Sequence, residues 1–319
     1  MKKNLILIEG IPGSGKSTFA RFLANQFERN GIPCGLYLET TYDHPIIEFT
    51  GHEDNTLFLE AYYDRWSKFL DRFPKEEVVV MESAFLQSPM VHLLHKEAER
   101  ELIKSLVHKV SDRLSKENCN LIYFYQKDAL AAINKMIEQR GGREYLLRKH
   151  DEYKDEPYFR NRQEQGPESH ISFFLEYAVI ANEIVRELNI PVEIIENSSA
   201  DYETYQKQAL ENFDLKYVPD PILETSLLRK YSGLYHHQGM DLKISVELIQ
   251  DGLWIFGNKR LRPKDTDQFY LDDISVTVRF ITDQTNVTGL LITEKDWYAN
   301  RNDEGTLFEK ISAHDNNFV

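Results

Sequence analysis

Cysteine is nearly absent, with only Cys34 and Cys119 in 319 residues, each placed just before an apolar run that reads as a buried strand. Two such thiols exclude a disulfide framework and fit reduced core positions. Basic residues are also short, at 38 Lys and Arg against 52 Asp and Glu. The net charge is −14, and acidic residues prevail on both sides of Asp220. Such a chain lacks the positive field that non-specific nucleic-acid or anionic-membrane binding requires, so neither partner is expected. Long apolar runs are missing as well. No stretch approaches the roughly eighteen residues of a membrane span. Met1-Lys2-Lys3 followed by Leu5 to Ile8 imitates the start of a signal peptide, but Glu9 and Gly10 end the run too early. A cytoplasmic protein is the expectation. There is no internal repeat and no low-complexity tract.

What is present is alternation. From Asn4 to about Leu215, short apolar runs (Leu5 to Glu9, Gly35 to Glu39, Val78 to Glu82, Leu121 to Tyr125, Val192 to Ile195) are separated by stretches of helical spacing. Those stretches are Ser17 to Arg29, Thr56 to Phe73, Met90 to Leu114, Asp128 to Gln139 and Ser169 to Leu188. Strands joined by helical crossovers predict an α/β unit, a five-stranded parallel sheet with helices on both faces. Beyond Pro219-Asp220-Pro221 the pattern changes to short alternating runs, at Leu242 to Ile249, Leu253 to Phe256 and Ser275 to Ile281. The expected organisation is a domain over 1–218, a linker over 219–230, and an antiparallel β accessory domain, a small barrel or sandwich, over 231–319. As an accessory or dimerisation module, that second domain makes a homodimer one arrangement open to the chain.

Gly10-Ile11-Pro12-Gly13-Ser14-Gly15-Lys16-Ser17-Thr18 satisfies G-x-x-x-x-G-K-[ST] without departure, directly after a strand pattern and before a helical one. Gly10, Gly13, Ser14 and Gly15 allow the backbone to turn so that its N–H groups point at phosphate oxygens, and the following helix offers its positive end to the same charge. Lys16 is expected on the β- and γ-phosphates of ATP and Ser17 on Mg2+, with Thr18 adding a phosphate contact.

Glu9, Glu39 and Glu82 each close a predicted strand, and in an open parallel sheet these ends line the ligand crevice. Glu82, after four apolar residues, is the candidate metal carboxylate, acting through water. Glu39 is the candidate general base, and Glu9 either joins them or ties neighbouring loops together by hydrogen bonds. Arg140 and Arg143, with Arg148, Arg160 and Arg162 beyond them, suit a flap that neutralises charge on a transferring phosphoryl group. His92 and His95 lack the spacing of a zinc helix, and Tyr62, Tyr63, Trp66 and Phe69 read first as core and second as a base-stacking wall.

On these residues the first two hundred positions resemble the P-loop nucleoside and nucleotide kinases. Ile8-Glu9-Gly10 into Gly13 to Thr18 is similar to the opening of deoxynucleoside and thymidylate kinases. Leu121 to Phe124, then Asp128 to Gln139 and Arg140, resemble that family's strand, helix and lid arginine. The resemblance implies a central phosphate loop, a lid, and Glu39 at the acceptor-side carboxylate position. Where that family has an acidic residue followed by arginine after the third strand, this chain reads Glu82-Ser83-Ala84. The Gly-x-Pro-Gly form of the loop is equally similar to antibiotic phosphotransferases and zeta-toxin-like kinases. The region from Tyr231 to about Ile292 weakly resembles a small β-domain appended to serine-hydrolase-like proteins, without a catalytic set. The reading is a phosphotransferase acting on a hydroxyl or phosphate of a nucleoside, nucleotide or similar small molecule. Its alternative is a nucleotide switch or ATPase whose β-domain holds a partner.

Overall fold

A computed structural model describes residues 4–41, 44–47, 54–73, 77–162, 166–284, 286–293 and 305–311. Met1 to Lys3, the charged start of the signal-like segment, lie outside the described residues. The chain divides into two units, Met1–Glu39 with Asp43–Lys216, and Thr40–Tyr42 with Tyr217–Val319.

In chain order the first unit contains β1 (Leu5–Gly10), α1 (Lys16–Arg29), β2 (Cys34–Tyr37), α2 (Asn55–Asp71), β3 (Val78–Glu82), α3 (Gln87–His95) and α4 (Arg100–Leu114). It continues with β4 (Cys119–Tyr125), α5 (Ala129–Gln139), α6 (Arg143–Tyr153), α7 (Pro157–Arg160), α8 (Ser169–Val185), β5 (Val192–Glu196) and α9 (Tyr202–Asn212). The five strands form one parallel sheet in the order β2-β3-β1-β4-β5. All six residues of β1 are buried, as a central strand covered on both faces requires. Strand β1 is where the strand order reverses, with β3 on one side and β4 on the other. In open parallel sheets such a reversal marks the place where ligands bind, here the carboxyl ends of β1 and β3.

Phe19 of α1 meets Phe124 of β4 edge-on, with centroids 5.1 Å apart, inside a core shared with Ile6, Ile8, Val80 and Ile122. Full burial of each such side chain stabilises the fold by about 1.5–3 kcal/mol. Cys34 and Cys119 are buried and free. Among the described residues no helix is long and apolar enough to cross a membrane.

Two details depart from the sequence pattern. The helical run expected over Met90 to Leu114 is two helices, because Glu97 adopts a left-handed φ of 56°. There the backbone N–H groups of Glu97 and Ala98 return to the carbonyls of Leu94 and Leu93, closing α3 in the manner usually left to glycine. Strand β2 ends at Tyr37, which leaves Glu39 just past the strand.

The second unit contains α10 (Thr225–Tyr231), β6 (Gly233–His237), β7 (Leu242–Ile249), β8 (Gly252–Ile255), β9 (Lys259–Pro263), β10 (Gln268–Tyr270), β11 (Thr277–Asp283), β12 (Asn286–Thr293) and β13 (Thr306–Lys310). The strands close into an antiparallel barrel in the order β10-β11-β12-β13-β6-β7-β8-β9, so the expected choice between barrel and sandwich resolves to a barrel. Closure removes every sheet edge. The stretch 219–230, read from sequence as a linker, carries α10. Leu228 and Tyr231 of that helix belong to the barrel core, and Tyr231 stacks on Phe280 at 4.2 Å.

Candidate phosphate-binding and carboxylate site

The loop between β1 and α1 has the geometry that its glycines permit. Gly13 and Gly15 hold φ of 80° and 84°, and Gly15 is the left-handed N-cap of α1. At Gly10 a Cβ would stand 2.7 Å from the carbonyl oxygen of Phe124, a backbone atom that cannot yield. At Gly15 it would stand 2.1 Å from the Tyr202 hydroxyl. Three groups that motif reading missed brace the loop from outside. Asn197, after β5, donates from Nδ2 to the Ser14 carbonyl at 2.5 Å. Tyr177 of α8 donates to the Gly10 carbonyl at 3.4 Å, and Tyr202 to the Ser14 carbonyl at 3.5 Å. They come from distant parts of the chain, and no local spacing announces them.

Lys16 begins α1 and is buried. Its Nζ donates to the Ile11 carbonyl at 3.1 Å and lies 3.8 Å from Glu82 Oε1. Ser17 and Thr18 occupy the same first turn of α1, both half-buried. Ser14 is buried, and its Oγ has no partner among the described residues.

Glu82, at the end of β3, has both oxygens engaged. Ser83 Oγ donates to Oε1 at 2.6 Å, and the Glu39 backbone N–H donates to Oε2 at 3.0 Å. Ser83 follows in a left-handed conformation, φ 62°, which turns its hydroxyl back onto Glu82. Glu39 accepts from Gln87 Nε2 at 2.8 Å. Burial and the adjacent Glu82 charge raise its pKa above the ordinary carboxylate value, while Lys16 and Arg140 pull the other way.

Glu9 is fully buried and plays a different part. Its Oε1 accepts from the backbone N–H groups of Phe85 (2.6 Å) and Leu86 (3.0 Å), and Oε2 from that of Gln87 (3.1 Å), so it ties β1 to the start of α3. Desolvation raises its pKa to about 7 against the lowering effect of these three bonds and of Lys16. Tyr62 of α2 supports the same turn, donating to the carbonyls of Ala84 and Phe85. Tyr62 and Trp66 are buried in the core.

The arginines expected on a lid separate. Arg140, the C-cap of α5, donates to the Tyr145 hydroxyl at 3.3 Å, and its charge reaches Glu39. Arg143, at the start of α6, has a side chain 73% exposed and pairs with Glu168 at 3.5 Å. The structure therefore brings Lys16, Glu39 and Glu82 together, while Arg140 and Arg143 are both exposed, Arg140 acting on Glu39 through its charge and Arg143 paired with Glu168. Arg162 is engaged with Glu176 and lies over the Tyr158 ring.

A magnesium ion fits this donor set only with help. Among the described residues no group of three or more His, Cys, Asp or Glu side chains converges to hold a metal. The Ser17 hydroxyl and the Glu82 carboxylate are hard oxygen donors, and Mg2+ characteristically completes its shell with water and phosphate oxygens. With both oxygens already accepting hydrogen bonds, Glu82 suits contact through water.

No family profile and no curated protein matches the chain. Among solved structures, similarity is found to the YorR protein of Bacillus subtilis in complex with phosphorylated GDP, at 13% identity over 66% of this chain and 96% of that one, with a TM-score of 0.40. A thymidylate kinase from Candida albicans aligns at 15% identity, covering 68% and 96%, with a TM-score of 0.36. An uncharacterised protein from Eubacterium ventriosum aligns at 16% identity, covering 67% and 99%, with a TM-score of 0.32. At these values, the chain's own residues carry the reading of the site.

Proposed function

We propose that this protein is an ATP- and Mg2+-dependent phosphotransferase that moves the γ-phosphoryl group to a small-molecule acceptor. The observation that carries the proposal is the meeting of a complete phosphate loop with two carboxylates at one sheet edge. Lys16 lies 3.8 Å from Glu82, and Glu82 in turn holds the backbone of Glu39. A second carboxylate beside the first supplies the base that an attacking hydroxyl requires, and water and an organic acceptor are told apart by the test below.

In this reading the backbone N–H groups of 13–18 and Lys16 take the triphosphate, and the positive end of α1 adds to their field. Ser17 and, through water, Glu82 hold Mg2+, which neutralises phosphate charge when bound. Glu39, its proton affinity raised by burial, accepts the acceptor's proton. Arg140, whose charge acts on the same carboxylate, offsets charge on the transferring group.

The test is Mg2+-dependent ADP release by wild type and Lys16→Ala, with and without candidate acceptors. Acceptor-stimulated release that Lys16→Ala abolishes supports the proposal. Slow, acceptor-blind release by wild type favours the switch or ATPase reading.

A further inference from the structure

Glu39 stands just past the end of β2, so the sheet does not set where its carboxylate points. Two hydrogen bonds do. Its backbone N–H donates to Glu82 Oε2 at 3.0 Å, and its own Oε2 accepts from Gln87 Nε2 at 2.8 Å. Among the described residues no donor reaches its other oxygen, Oε1.

Gln87, the first residue of α3, is itself held from behind. Its backbone N–H donates to Glu9 Oε2, and those of Phe85 and Leu86 donate to Glu9 Oε1. The Tyr62 hydroxyl donates to the carbonyls of Ala84 and Phe85. Every residue from 84 to 87 is thereby bonded to β1 or α2. The Gln87 side chain is less well satisfied. It is 6% exposed, and because an ionised carboxylate only accepts, the amide turns its NH2 group to Glu39. The amide oxygen is left buried with no partner among the described residues. An unpaired buried carbonyl costs stability, and an apolar side chain of similar size would avoid that cost. What glutamine supplies here, and such a side chain would not, is the bond to Glu39.

We infer, on the kinase reading above, that Gln87 is a positioning residue for Glu39, turning its carboxylate so that Oε2 is held and Oε1 takes the acceptor's proton. Glu9, which the transfer does not otherwise use, keeps Gln87 in place. In the transfer the hydroxyl oxygen forms a bond to the γ-phosphorus of ATP. The bond from that phosphorus to the β-phosphate oxygen breaks with its electron pair, releasing ADP. The hydroxyl proton passes to Glu39 Oε1 and then to solvent.

A hydrogen bond donated to a carboxylate favours its charged form, so removing the bond raises the proton affinity of Glu39. The experiment compares wild type with Gln87→Met, close in size and without a donor, and with Gln87→Leu. The other groups whose charge bears on Glu39 stay the same in all three proteins. They are Glu82, Lys16 and Arg140, with the phenols of Tyr177 and of Tyr153, over whose ring Lys149 lies. Infrared difference spectra across a pH titration follow the protonated carboxyl band of Glu39, identified by its loss in Glu39→Gln. Steady-state ADP release with Mg2+ and a panel of nucleosides, nucleotides, aminoglycosides and sugar phosphates gives kcat against pH. Titration calorimetry gives the affinity for a non-hydrolysable ATP analogue.

In both variants the Glu39 midpoint should rise by about one pH unit, the worth of one such bond, and the acidic limb of kcat should move with it. At the optimum kcat should fall about tenfold, with analogue affinity within about twofold of wild type. If wild type transfers phosphate and neither the band nor the acidic limb moves in the variants, this inference fails alone. Loss of analogue binding in both variants also overturns it, since Gln87 would then serve the nucleotide and not Glu39. If the band moves but no acceptor stimulates release by wild type, the kinase reading fails and takes the proton-accepting role of Oε1 with it.

Discussion

Lys16 and Glu82, 66 positions apart in sequence, face each other at 3.8 Å, both almost fully buried. Neither charge is fully satisfied by the other. Lys16 also donates to its own loop, and Glu82 takes hydrogen bonds from Ser83 and from the Glu39 backbone. Removing one partner from such a pair leaves a buried charge uncompensated, a cost on the order of 3–5 kcal/mol. Glu82→Gln keeps the shape and removes the charge. It should preserve nucleotide binding within about tenfold while lowering turnover by about 100-fold or more. Titration calorimetry and steady-state ADP release separate the two effects, and equal loss in both would mean that Glu82 acts in binding alone.

Loop bracing gives a second expectation. Asn197 Nδ2 to the Ser14 carbonyl is a bond between the end of β5 and the phosphate loop. Asn197→Ala should lower stability by about 1–2 kcal/mol and weaken nucleotide affinity several-fold, because the N–H groups lose their fixed aim. Denaturant midpoints and analogue titration test it. An unaltered affinity would show that the loop keeps its shape without this brace.

The two arginines at the α5–α6 junction should differ. Arg140→Ala should reduce kcat by about 100-fold, since its charge reaches Glu39, while Arg143→Ala should stay within about twofold because its side chain is paired with Glu168. A kcat comparison decides. Equal losses would mean that α6 carries Arg143 into the site during turnover.

Glu9 predicts a pH dependence of stability. Its folded pKa is raised from 4.5 to about 7, so the native state holds a proton that the unfolded chain has released between those values. Stability from this group is therefore highest below about pH 4.5 and falls as pH rises through 7, by on the order of 3 kcal/mol in total. His44, His95 and His170, with lowered folded values, act oppositely: their contribution is present above about pH 6.5 and is lost as pH falls toward 3 or 4. The measurable quantity is the difference in unfolding free energy between wild type and Glu9→Gln. That difference should decline for wild type from pH 5 to pH 8, and a flat difference would contradict it.

How much of this was legible in the sequence follows from what is local. The phosphate loop needs nine consecutive residues and a strand before it, so its position and the buried β1 could be read directly. The five-stranded sheet followed from apolar runs of four or five residues between helical patterns. What could not be read depends on contacts between distant segments. Ser83 and Glu97 take left-handed backbone that glycine usually supplies, so neither the turn onto Glu82 nor the end of α3 carried a signal. Glu9 looks like Glu39 and Glu82 in sequence, yet three N–H groups from the start of α3 claim it. Gln87 is an unremarkable helix start until β2 brings Glu39 to its amide. Arg140 and Arg143 are three residues apart and both exposed, and only the folded chain separates the one whose charge reaches Glu39 from the one that pairs with Glu168.

The central claim is transfer rather than hydrolysis, and the most direct measurement follows the label of γ-radiolabelled ATP during turnover with Mg2+ and a panel of nucleosides, nucleotides, aminoglycosides and sugar phosphates. The account predicts that the label appears on the organic acceptor, that inorganic phosphate stays at background, and that Lys16→Ala and Glu39→Gln both lose the labelled product. Label recovered only as inorganic phosphate, at a rate indifferent to every acceptor and to Glu39→Gln, would contradict it.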